Sequence, residues 1–191
     1  MIQVKFTTFP VLETARLQLK QVSKADASFL FKLRSDERVM KYLDRPSPSS
    51  EEEVISMIQK IEEALVNGQG ISWGIFLKDQ PAQLIGTIGF HQLTPAHFRA
   101  EIGYLLATKY HRQGIMTEAI QCVLNFGFYE MNLHSVEANI NPSNLASQAI
   151  LEKFGFRREA YFRENYFYNG KFLDSAIYSL LKPDWIKGGR N

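Results

Sequence analysis

The stretch Arg99 to Phe128, RAEIGYLLATKYHRQGIMTEAIQCVLNFGF, decides how the chain is read. Its first eight residues, Arg99 to Leu106, have the apolar and aromatic content of a buried strand. Ala107 to Gly114 is a polar, basic turn. From Ile115 the apolar positions take helical spacing, at Met116, Ala119, Ile120, Val123, Leu124 and Phe128. A second β-rich run, Ser135 to Ile140, follows. Strand, helix and strand in this order predict a βαβ unit with parallel strands and a right-handed crossover.

The turn is where chemistry can sit. The first amides of a helix have no partner inside it and carry the positive end of its dipole, so a phosphate docks there readily. Gly114 has no Cβ and allows close approach of a ligand. Lys109, His111 and Arg112 add positive charge. The same residues also fit an ordinary solvated turn, since one glycine is neither a Walker loop nor a G-x-G-x-x-G fingerprint.

Toward the N-terminus, Ser72–Leu77 and Gln83–Leu93 read as a hairpin around Lys78–Ala82. A helix starts near Ser50, carries Val54, Ile58, Ile61 and Leu65 inward, and ends at Asn67–Gly70. Its first-turn trio Glu51, Glu52 and Glu53 reads as a solvated helix start rather than an attractor of basic substrates. Ser23 and Asp26 open another helix, to about Ser35. Leu12–Val22 alternates as one half-buried strand with Leu17 and Leu19 inward, and Met1–Pro10 is an irregular lead-in. Toward the C-terminus, Asn141–Asn144 starts a helix that stops at Gly155. Phe156–Phe162 and Lys171–Leu181 are closing strands, joined by an aromatic loop containing Asn169-Gly170. No repeat, linker or low-complexity tract divides the chain, so one domain over residues 1–191 is expected.

Composition narrows the function classes. A net charge of +2 is too small to argue for nucleic acid. Cys122 is the only cysteine, which removes any intrachain disulfide framework or Cys-based zinc site. His91, His97, His111 and His134 have no metal-ligand spacing. No apolar run of about 18 residues predicts a membrane span, and no signal-peptide h-region opens the chain, so a cytoplasmic setting is expected.

Two motifs carry a resemblance. His111-Arg-Gln-Gly114-Ile-Met116-Thr117 resembles the pyrophosphate-binding loop and helix start of the GNAT N-acetyltransferases, although His111 and Met116 depart from the usual Gln/Arg-x-x-Gly-x-Gly/Ala pattern. Asn141-Pro-Ser-Asn144-Leu-Ala-Ser147-Gln-Ala-Ile-Leu151-Glu-Lys-Phe-Gly155-Phe156 resembles another segment of that family almost position for position, at the family's usual place after the βαβ unit. Ala100-Glu101-Ile-Gly103-Tyr104 and Leu12-Glu-Thr-Ala-Arg-Leu17-Gln-Leu19 are similar to the RimJ/RimL-like branch.

The resemblance implies a mixed α/β (α+β) fold: a largely antiparallel sheet of about seven strands with a central splayed parallel pair, flanked by about four helices. It implies acetyl-CoA as co-substrate and no metal. Pantetheine would pair with backbone near Leu105, Leu106 and Ala107, and the pyrophosphate would rest on His111, Arg112, Gln113, Gly114, Ile115, Met116 and Thr117. Asn144 would bind coenzyme. Glu101 would be the catalytic base and Ser147 the proton donor to the departing thiolate; a salt-bridged strand glutamate and a serine bonded to its own helix turn are the structural alternatives. The implied acceptor is a protein N-terminal amine, as in ribosomal-protein Ser/Ala acetylation, with small amines (polyamines, amino acids, antibiotics) as the alternative. A non-catalytic acetyl-CoA-binding module is a competing class, and a nucleotide-binding α/β protein is disfavoured by the missing second glycine. No nucleic-acid or membrane partner is expected. Trp73, Trp185 and the stripe Tyr161, Phe162, Tyr166, Phe167, Tyr168 are core, homodimer contacts or walls of the acceptor pocket.

Overall fold

Leu17 and Leu19 are fully buried, as their alternation requires, but the strand they mark is broken in two. β1 (Leu12–Glu13) and β2 (Leu17–Gln21) are joined by a turn in which the Leu17 amide donates to Thr14 Oγ1 (2.9 Å). The computed structural model describes Ile2, Phe6 and residues 8–188, so much of the expected lead-in Met1–Pro10 lies outside the described residues. β3 (Ile71–Leu77) and β4 (Gln80–Thr94) form the expected hairpin, followed by β5 (Arg99–Leu106), β6 (Ser135–Ile140), β7 (Arg157–Tyr168) and β8 (Lys171–Leu181). Among the described residues the sheet has 8 strands, in the order β1-β2-β3-β4-β5-β6-β8-β7. The extra strand relative to the sequence expectation comes from the break at Thr14–Arg16.

The helices are α1 (Ala27–Ser35), α2 (Glu37–Met40), α3 (Glu51–Val66), α4 (Ile115–Asn125), α5 (Leu145–Lys153) and α6 (Lys182–Lys187). Two of them escaped the sequence reading because neither is long enough to show a period. The four-residue α2 is capped by Asp36, whose side chain accepts from the Arg38 amide (2.9 Å), and α6 carries fully buried Trp185. Trp185 and Trp73 are both core: Trp185 Nε1 donates to Asn125 Oδ1 (3.1 Å) and Trp73 Nε1 to the Pro10 carbonyl (2.7 Å).

The aromatic loop expected after Phe162 is strand. β7 continues to Tyr168 and turns into β8 through Asn169 (φ 48°) and Gly170 (φ 76°), a two-residue turn of the kind that matches strand twist. Arg163–Asn165 hides this in the sequence by interrupting the alternation. There the strand bulges, with Glu164 at φ 51° and its amide held by Asp174 Oδ1 (2.8 Å).

Helices cover the sheet on both faces. A larger core lies under α4 and α5, containing Trp73, Ile88, Phe90, Ile120 and Leu151. A smaller one lies under α1 and α3, containing Leu30, Val54, Ile58, Phe76 and Leu84. The feature that positions the site is the parallel pair. β5 and β6 are in register only at Arg99/Ser135, Ala100/Val136 and Glu101/Glu137. Beyond that point β5 stays with β4 as far as Leu106, and β6 stays with β8 as far as Ile140. Each strand satisfies its outer edge on an antiparallel neighbour, and the inner edges part.

Candidate active site

The gap between the parted strands opens into a cavity of about 690 Å³. Ile102 to Leu106 wall one side and Ala138 to Asn141 the other. α4 closes one end with Gly114 to Thr117, α5 contributes Asn144 and Ser147, and α2 and the chain beyond it add Arg38 and Tyr42. The Ala107 amide donates to Ile85 O (2.9 Å), so β5 turns alternate amides toward β4 and leaves those of Ile102, Tyr104 and Leu106 facing the gap.

At the α4 end the backbone curls. Arg112 (φ 58°) and Gly114 (φ 74°) are both left-handed, a geometry that turns successive N–H groups inward as an anion-binding nest. Among the described residues, no protein acceptor takes the amides of Arg112 to Thr117. The curl is braced from behind. Arg16 Nη1 donates to the Gln113 carbonyl (3.0 Å), and its Nε and Nη2 grip Glu118 Oε2, each at 2.7 Å. Glu118 Oε1 also accepts from the Arg16 amide (2.9 Å) and from Thr14 Oγ1 (2.5 Å). The break between β1 and β2 therefore supports this loop.

Asn144 caps α5, its side chain accepting from the Ser147 amide (3.1 Å). Ser147 is buried, and its hydroxyl is 2.7 Å from the Tyr104 hydroxyl. Burial pushes the Tyr104 phenol up to about 12, so it keeps its proton. The sequence reading passed over Tyr104, although strand alternation puts it on the α5 face with Ile102 and Leu106.

Alternation turns Glu101, Gly103 and Leu105 to the opposite face, under α1 and α3. Glu101 pairs across β4 with His91 and across β6 with Glu137. A Cβ on Gly103 would lie 3.1 Å from the His91 ring, so glycine leaves room for the imidazole there. Burial, then the charge of Glu137, raise the Glu101 carboxyl above its ordinary range, and Arg45 opposes them. His91 keeps solvent access, and partial desolvation, then Arg45 and Arg34, lower its pKa. His91 was another group whose role here the sequence hid, since β4 alternation alone does not say what lies opposite.

The residues expected to bind coenzyme divide accordingly. Leu105, Leu106, His111, Arg112, Gly114, Ile115, Met116, Thr117, Asn144 and Ser147 line the cavity. Ala107 and Gln113 do not: the Ala107 amide is taken by Ile85, and Gln113 turns outward, with Nε2 donating to Lys109 O (2.7 Å) and its carbonyl held by Arg16. His111 Nε2 donates to the Leu106 carbonyl (2.9 Å), bracing the end of β5. Glu101 lies on the far face, outside the cavity lining.

A family model described as an acetyltransferase (GNAT) domain matches residues 16–157. The uncharacterized N-acetyltransferase YoaA of Bacillus subtilis (strain 168) is 39% identical over 175 residues, 92% of this chain and 98% of that protein. The [ribosomal protein uS5]-alanine N-acetyltransferase of Escherichia coli (strain K12) is 27% identical over 142 residues, 74% of this chain and 71% of that protein. A crystal structure of a GNAT-family acetyltransferase from Bacillus anthracis superposes with a TM-score of 0.80 at 29% identity, covering 91% of this chain and 99% of that one. Parted parallel strands, a free amide nest and these matches agree: the chain belongs to the GNAT N-acetyltransferases, enzymes that transfer acetyl groups from acetyl-CoA.

Proposed function

We propose that this enzyme acetylates the N-terminal α-amino group of a protein. The observation that carries the reading is the alternation along β5. Tyr104 and Glu101 lie on opposite faces of one strand that flanks an opening through the sheet. Acetyl-CoA fits the cavity side, with its diphosphate on the amides of Arg112 and of Gly114 to Thr117 and its pantetheine along the gap-facing edge at Tyr104 and Leu106. The acceptor then comes from the α1/α3 face, where Glu101 is half-buried and His91 is open to solvent. An open face of this kind suits the end of a polypeptide, and the Escherichia coli relative is named for an N-terminal alanine acceptor on a ribosomal protein.

The chemistry follows from these positions. An ammonium has no lone pair, so the Glu101 carboxylate takes the amine proton, directly or through a water. Its raised pKa makes it a better base near neutral pH. The amine nitrogen forms a bond to the thioester carbonyl carbon, and the C–S bond breaks. The Ser147 hydroxyl passes a proton to the thiolate and is reprotonated, through the Tyr104 hydroxyl, by the second proton that the attacking nitrogen sheds, so the phenol ends protonated, as its burial favours.

A thiol-release assay with N-terminal peptides beginning in Ser or Ala, beside polyamines, amino acids and aminoglycosides, tests this. Peptide turnover at higher kcat/KM than any small amine is expected. Preference for a small amine transfers the acceptor to that class, and acetyl-CoA binding without thiol release under any amine makes the protein a binding module.

A further inference from the structure

Arg34, near the end of α1, is a half-buried cation with one donor the protein leaves unanswered. Its Nε is shielded from solvent and has no hydrogen-bond partner among the described residues. Neither Arg34 nor Arg45 forms an ion pair among those residues. The two guanidiniums repel each other, and burial, then Arg45, lower Arg34 to about 10. Both also act on His91, and Arg45 acts on Glu101, so the pair stands beside the proposed base.

The other charges around them are already engaged. Glu137 bonds Arg99 (3.0 Å) and Asp36 bonds Arg38 (2.9 Å). Asp44 accepts from the Tyr166 hydroxyl and from Asn141 Nδ2 (3.4 Å). His91 is held toward its neutral form. Among the described residues on this face, Glu101 is the carboxylate left for the incoming amine. The face therefore carries two guanidiniums without an ion pair among the described residues, one half-buried and one exposed, and the shielded Arg34 Nε–H without an acceptor is costly enough to require an explanation. A guanidinium's planar fork of donors suits a carboxylate.

We infer that Arg34 and Arg45 form an anion-recognition site next to Glu101, so that the preferred acceptor is an amine that also carries a carboxylate. This rests on the reading of Glu101 as the base on the acceptor side. The carboxylate has two sources: an acidic side chain just after a protein N-terminus, or the α-carboxylate of a free amino acid. Polyamines and aminoglycosides, which bring only positive charge, are disfavoured by the same pair.

The experiment compares matched acceptors by thiol release. They are an Ala-initiated peptide with Asp and Glu at its next positions, the same peptide with Asn and Gln, a free amino acid, its amide, and a linear polyamine. The acidic member of a pair is expected to exceed its amide by at least about tenfold in kcat/KM, carried by KM. Whichever pair shows the difference identifies the source. Arg45→Gln, at an exposed position, and Arg34→Met, which removes the charge but keeps the stem, are each expected to reduce that ratio severalfold. Acetyl-CoA affinity by calorimetry should stay unchanged in both. Equal turnover of acid and amide, a preference for the polyamine, or ratios unmoved in both variants overturn the inference while leaving the transferase intact. If no amine of any charge releases thiol while acetyl-CoA binds, the proposed transfer site falls and this inference with it.

Discussion

Glu101 and Glu137 are neighbours in register on β5 and β6, at the last rung before the two strands part. Burial, then the Glu137 carboxylate, oppose the ionisation of Glu101, and Arg99 answers only Glu137, at 3.0 Å. Glu101 is left protonating more readily than an ordinary glutamate, at the mouth of the gap through the sheet.

Replacing this carboxylate isolates its role. Glu101→Gln should lower kcat by about 10²–10⁴-fold, the usual contribution of a general base, and leave acetyl-CoA affinity within about twofold. Steady-state kinetics beside calorimetry reads both. Unchanged turnover would remove Glu101 from the proton path.

The pH profile carries a sign. The base works as the carboxylate, so kcat should rise with pH through the raised Glu101 pKa. Glu137→Gln removes a repelling charge and frees Arg99 nearby, so the rising limb should move to lower pH. Arg45→Gln removes an attracting charge and should move it to higher pH. A limb that stays fixed in both variants assigns the ionisation elsewhere.

The Tyr104–Ser147 contact, 2.7 Å between hydroxyls, predicts coupled defects. Ser147→Ala and Tyr104→Phe should each slow the single-turnover rate of thiol release. The double variant should be little slower than the worse single one, because both act on one proton path. Fully additive losses would mean that the hydroxyls act independently.

Arg16 should matter to coenzyme more than to stability. It is half-exposed, so Arg16→Ala should cost no more than about 1 kcal/mol by denaturant melts. The same change releases the Gln113 carbonyl and leaves the Glu118 carboxylate uncompensated beside the amide nest. Acetyl-CoA should bind severalfold more weakly, with partial recovery in Arg16→Ala/Glu118→Gln. An unaltered dissociation constant would show that the loop holds its shape without this brace.

Much of this molecule is local and therefore written along the chain. Periodicity marked the long helices and the βαβ unit, because burying one face forces apolar residues to recur at 3.6 or 2. The motif around Gly114 pointed to an anion loop, and its left-handed φ of 74° shows why glycine stands there. Short pieces escaped for the same reason: α2 and α6 are less than two full turns long, and the bulge at Glu164 interrupts the alternation that would have exposed the end of β7.

By itself the sequence determined the order of the long elements, and it marked the candidate nest at the start of α4 and, through the family resemblance, Glu101 and Ser147 as candidates for moving protons. Tertiary structure alone decided which groups meet. Tyr104 reaches Ser147 across 43 residues, Arg16 reaches Glu118 across 102, and Arg34 and Arg45 come to act on the face that holds Glu101 and His91. The physical reason is that a period records which way a side chain points from its own strand or helix, whereas its partner is chosen by strand pairing and helix packing between segments far apart in the chain.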